Sequence, residues 1–138
     1  MKTGRRREFP DPPVIVVDYQ FSGQVETAPR WVLSRHSHVW RPPTDLFETE
    51  DEFVAQVEIA GMRHADFLVT LNGRQLSISG HRRGPAERRA YYQMEIHSGD
   101  FRTDLELPAP IQAEGVEATY SDGFLRVVLP KLKPRAAE

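Results

Sequence analysis

An all-β fold, two antiparallel sheets packed face to face behind a largely irregular N-terminal arm, is the architecture this chain predicts. Three observations predict it. Apolar and polar residues alternate with period two in one run after another between residues 52 and 129. Eleven prolines and nine glycines in 138 residues punctuate the chain too often for long helices. No stretch of the domain carries a convincing 3.6-residue apolar stripe, so faces made by alternation are buried most simply sheet on sheet.

The elements follow in order. Residues 1–40 form an arm, because Pro10, Pro12, Pro13, Gly23 and Pro29 break every run. It carries two apolar spots, Val14-Ile15-Val16-Val17 and Trp31-Val32-Leu33, that a purely disordered tail does not need. From Pro42-Pro43 the β signal begins. In Glu52–Ile59, Phe53, Ala55, Val57 and Ile59 share one face, and Gly61 ends the strand. Phe67, Val69 and Leu71 alternate up to Asn72-Gly73, which predicts a type I′ hairpin into Gln75–Ser79 with Leu76 and Ile78 inward. A polar loop from His81 to about Arg89, with Gly84-Pro85 inside it, leads to a short strand Tyr91–Ile96 that groups Tyr92, Met94 and Ile96. Phe101–Leu107 alternates until Pro108 and Pro110 stop it. Val116–Tyr120 then pairs with Phe124–Leu129 across Asp122-Gly123, a pair suited to two positive φ values. In that last strand Leu125, Val127 and Leu129 build one face, yet Phe124 and Val128 leave the opposite face apolar as well.

Composition and motifs exclude most functional classes. A net charge of −2 gives no field for wrapping nucleic acid or an anionic membrane, and the pairs and triplets at Arg5-Arg6-Arg7, Arg82-Arg83 and Arg88-Arg89 read as solvated faces. No apolar run is long enough for a leader's core or a bilayer span, so the chain reads as cytoplasmic. It has no cysteine, hence no disulfide or thiol chemistry. Phosphate-binding, zinc-protease, nucleophile-elbow and calcium-loop patterns are missing. His36-Ser37-His38 supplies at most half a zinc shell, with His64, His81 and His97 scattered, and the carboxylates Glu48, Glu50, Asp51 and Glu52 read as a solvated turn. The expectation is a protein that is not an enzyme, with no cofactor and no metal.

Ala118-Thr119-Tyr120-Ser121-Asp122-Gly123-Phe124-Leu125, continued by Val127, Leu129, Pro130 and Lys131, resembles the alpha-crystallin domain signature of small heat shock proteins of bacterial type. Asp45-Leu46-Phe47-Glu48-Thr49 with Phe53-Val54-Ala55 and Ile59-Ala60-Gly61, then Leu76-Ser77-Ile78-Ser79-Gly80, then Gly99-Asp100-Phe101 to Leu107-Pro108, are similar to its strands in the same order. The likeness covers residues 41–131, with an arm at 1–40 and a tail at 132–138. It implies an immunoglobulin-like β-sandwich and homodimers that exchange a strand through Tyr92, Met94 and Ile96, with higher oligomers beyond. It also implies an ATP-independent holdase for unfolding clients, the alternative being a β-sandwich adaptor or co-chaperone for one folded partner.

Three departures from that pattern are informative, the first being Phe124, a larger apolar group on the non-core side where the turn usually has a valine. Thr103 stands where the family has an arginine in its G-x-F-x-R segment, which unsettles the charge contact that this arginine makes across the family's dimers. The tail carries no I-x-I, the segment that in the family docks into a groove on a neighbouring sandwich. In its place the arm offers Val14, Ile15 and Val16 as a docking segment. The expected client or inter-subunit groove is Val69, Leu71, Val116, Ala118, Phe124 and Val128.

Overall fold

In a computed structural model, residues 16–18, 39–63 and 66–133 are described. Two four-stranded sheets face each other. The first has the order β2 (Thr44–Glu48), β3 (Glu52–Glu58), β8 (Phe124–Pro130), β7 (Glu117–Ser121), all antiparallel. The second runs β1 (Val16–Asp18), β4 (Phe67–Asn72), β5 (Gln75–Arg82), β6 (Gly99–Glu106), and there only β1 is parallel to its neighbour. A 3-10 turn at Ala113–Gly115 precedes β7.

The alternation read from the sequence sets which side chains meet. Phe53, Val57 and Ile59 from one sheet and Phe67, Ile78 and Phe101 from the other are buried in one core, closed by Leu125, Val127 and Leu129. Each such side chain contributes about 1.5–3 kcal/mol when withdrawn from water. The core also needs a gap. A Cβ on Gly80 would lie 2.5 Å from the Phe101 ring and 2.6 Å from the Asp66 carbonyl oxygen, so only glycine lets Phe101 settle there.

The two hairpin turns divide. Asp122 and Gly123 hold φ of 54° and 85° between the paired Ser121 and Phe124, as the Asp-Gly signal requires. At the other hairpin Asn72 is not a turn residue. It pairs with Gln75, so the central residues are Gly73 and Arg74, and only Gly73 has positive φ, the pattern of a type II′ turn. The register sets this: Leu71 must face Leu76 within the core, and that pairing leaves Asn72 inside the ladder. Tyr91–Ile96, expected as a strand, pairs with no strand among the described residues and forms part of an irregular loop.

The chain changes sheets just before β2. Trp40 bridges Phe101 in parallel at the rim of the second sheet, donating to the Asp100 carbonyl and accepting from the Arg102 amide. Four residues later Thr44 opens β2 at the rim of the first sheet.

Candidate interaction site

The loop between β5 and β6 presents the least sheltered apolar side chains of the domain. Tyr92 is 105% exposed, Ile96 79% and Met94 59%, all three at alternate positions of the sequence. A strand edge lies open elsewhere on the same domain. β2 is flanked by β3 on one side and by no strand among the described residues on the other, which leaves its outward amides and carbonyls unpaired. An alternating apolar stretch that belongs to neither sheet and a sheet edge with no strand beside it among the described residues are therefore both present.

Thr103 lies next to the start of β2. It is 1% exposed, a polar side chain in the core, and its hydroxyl is fully employed. Arg41 Nε donates to Thr103 Oγ1 at 3.2 Å, Thr103 and Thr44 share a hydroxyl contact at 3.1 Å, and Thr44 Oγ1 donates to the Pro42 carbonyl at 2.9 Å. Since Thr44 has one proton and gives it to Pro42, Thr103 must donate to Thr44, so the bonds run in one direction from guanidinium to carbonyl. This relay fastens the segment that changes sheets to β6. Next to it, on the outer face, Ser77 Oγ donates to Asp104 at 2.6 Å and Arg102 Nε donates to the same carboxylate at 2.9 Å. Burial pushes the Asp104 carboxyl up, but those two hydrogen bonds and the charges of Arg102 and Arg41 outweigh it and hold its pKa below the ordinary 3.8.

The expected groove divides into two places. Val69 and Leu71 on β4, and Ala118 on β7, are buried facing inward at the edge where the two sheets meet, with Val116 half-buried beside them. The Phe67 and Tyr120 rings, 5.1 Å apart, bridge β4 and β7 at one end of this edge. At the other end Leu71, Arg74, Ile111 and Ala113 line a cavity of about 390 Å³. Phe124 and Val128 do not belong to that groove. Alternation on β8 turns them to the outer face of the first sheet, where Val128 stands opposite Val54 and Val54 opposite Phe47 in one apolar row, with Phe124 next to Glu58. The second face of β8 thus continues a cross-strand row instead of lining an edge.

The edge of β4 is occupied. Val16 pairs with Val69, Val17 with Thr70 and Asp18 with Leu71, so a piece of the arm extends the second sheet along the rim that carries Val69 and Leu71. Val14 and Ile15 of the expected docking segment lie outside the described residues, as do His36 and His38.

Sequence reasoning missed the base of the β5–β6 loop. Arg82 Nε and Nη2 both donate to the His97 carbonyl, at 3.0 and 2.7 Å, and Nη1 donates to the Ala60 carbonyl at 3.2 Å. The same guanidinium lies 4.6 Å from the Trp40 ring centre, and the His97 ring stacks on that indole at 5.0 Å. No local pattern announces this cluster, because its members are 15 or more residues apart and meet only when β5 pairs with β6.

With this geometry in place, the likeness to known proteins is consistent across sequence and fold. The profile of the Hsp20/alpha crystallin family matches residues 45–138. Small heat shock protein C2 of Rickettsia felis is 28% identical over 92 residues, which are 65% of this chain and 60% of its own length. Heat shock protein HSP.16.4 of Streptococcus thermophilus is 34% identical over 91 residues, 64% of each chain. The chain thus spans less than two thirds of the length of these relatives. Among solved structures, heat shock protein 16.0 from Schizosaccharomyces pombe superposes with a TM-score of 0.62 at 28% identity, covering 71% of this chain and 93% of that one. A small heat-shock protein from Xylella fastidiosa, described as having a distinct high order structure, gives 0.62 at 28% identity over 73% and 97%.

Proposed function

Because the chain belongs to the Hsp20/alpha crystallin family, we propose that it is an ATP-independent holdase chaperone, dimeric through strand exchange, that shelters apolar segments of unfolding proteins in the cytoplasm. The observation that carries this reading is the exposed Tyr92-Met94-Ile96 alternation, present together with a β2 edge that has no strand beside it among the described residues. In the proposed dimer residues 91–96 of each copy add to β2 of the other, residues 1–40 act as an arm and residues 132–138 as a tail. Holding an unfolding client needs only apolar surface that is reversibly available on a soluble frame. Covered apolar area contributes ~25 cal/mol per Å² before the cost of association is met, and that driving force needs neither a nucleotide nor a catalytic group. On the outer face of the first sheet the proposed client surface is exposed Phe47 and Phe124 with half-buried Val128, around fully buried Val54; the proposed inter-subunit groove is the edge formed by Val69, Leu71, Val116 and Ala118, of which Val116 is the half-buried member.

The test is light scattering of a heat-aggregating client mixed with equimolar subunits of the chain in the absence of nucleotide. Suppressed aggregation supports the reading. Unchanged aggregation with folded protein overturns it and favours an adaptor for a single folded partner.

A further inference from the structure

We infer that Arg82, seated on Trp40, is a positioning residue that determines how the β5–β6 loop is offered to a second copy of the chain; the inference rests on the strand-exchange reading above. Arg82 is the last residue of β5 and pairs with Gly99, the first of β6, so the loop leaves and re-enters the domain at one point. A loop held only by that pair can pivot about it. The fork from Arg82 to the His97 carbonyl fixes the returning strand two residues before the ladder begins, and the third donor ties the same guanidinium to Ala60 beyond β3. Trp40 is a rigid seat for this clasp. Its backbone is bonded on both sides to β6, its ring touches Phe101, and its indole nitrogen is buried without a hydrogen-bond partner among the described residues. The indole is thus held by ring contacts, and the guanidinium on its face is one of them.

The clasp opposes a specific competing state. Beneath the loop lies a cavity of about 560 Å³ whose lining includes Ala60, Gly61, Arg82, Met94, Ile96 and His97. This space is large enough for the loop's own apolar side chains to fold inward and shelter themselves, which would withdraw Met94 and Ile96 from a partner. Fixing His97 holds the stretch before it extended, so much of the ordering cost of exchange is met before association.

The test compares dimer dissociation constants of the full chain by sedimentation equilibrium for wild type, Arg82→Ala, Arg82→Lys and the triple variant Tyr92→Ser, Met94→Ser, Ile96→Ser. Amide exchange of the β5–β6 ladder is followed in each. The expected result is a constant raised about tenfold by Arg82→Ala and by a smaller factor by Arg82→Lys, which keeps the cation over Trp40 but loses the fork, with ladder protection unchanged in both. A constant within twofold of wild type for both Arg82 variants, beside a monomeric triple variant, overturns the inference and leaves strand exchange standing. Weakened dimers that also lose ladder protection in both Arg82 variants overturn it too, because the residue would then serve only the fold. A triple variant that dimerises as wild type does removes the strand-exchange reading itself, and the inference with it.

Discussion

Thr103 shows how one position can be visible in the sequence while its consequence is not. Its place in the G-x-F segment marks it as a departure, and a one-residue shift to Arg102 points that side chain to the other face. The structure adds Arg41 beside it, whose approach to Thr103 exists only because the chain crosses between sheets at residues 40–44, a path no local pattern reveals. Thr103→Val keeps the shape but leaves Arg41 and Thr44 without their shared partner in a half-buried site. The expected cost is about 1–3 kcal/mol, read as a fall of several degrees in the thermal midpoint. Asp104 gives a second prediction at this scale. Its pKa is lower in the folded chain than in the unfolded one, so it adds stability above the unfolded value, near 3.8, and that contribution disappears as pH falls through the lower folded value. The carboxylate is 48% exposed, which keeps the effect small. Asp104→Asn should flatten the loss of stability between pH 5 and pH 3, measured as the shift in urea midpoint; a slope equal to that of wild type counts against the assignment.

Elements were legible wherever both partners of a pairing lie in the chain and alternate clearly. β3, β5 and β8 follow their apolar positions, and the Asp122-Gly123 turn follows its residue pair. The stretch Tyr91–Ile96 has equally clear alternation but pairs with no strand among the described residues, so it remains a loop with its apolar side chains in solvent. Three such side chains contribute roughly 5–8 kcal/mol when buried, and association alone costs about 4–15 kcal/mol. One exchange is therefore marginal, whereas the reciprocal pair of a two-fold dimer doubles the gain and adds backbone bonds along β2. The single variant Ile96→Asp should accordingly shift micromolar protein toward monomer in size-exclusion chromatography with light scattering; an unshifted mass contradicts this. β1 follows a different logic. Three residues of parallel pairing make a short strand, easily released, that occupies the β4 rim. Changing Val14 and Val16 to Ser should lower the mass of assemblies larger than a dimer, and an unaltered mass rules out the arm as an inter-subunit docking segment.

At the scale of the whole molecule, the sandwich separates two kinds of apolar surface. One is consumed by the core, from Phe53 to Leu129, and the other stays on a loop and on the outer face of the first sheet. The apolar residues on both faces of β8 made the presence of a second surface legible, but not its location. Six residues assigned to one groove divide between an inter-sheet edge and an outer face, because period-two alternation gives the face of a residue without saying which sheet it belongs to. The central claim is that residues 91–96 are a strand waiting for a second copy of this chain. Native mass spectrometry of the full chain at micromolar concentration, beside the triple serine variant of Tyr92, Met94 and Ile96, tests it most directly. The wild type should appear as dimers or multiples of dimers and the variant as monomers; a wild-type monomer, or a variant that assembles as the wild type does, rules strand exchange out.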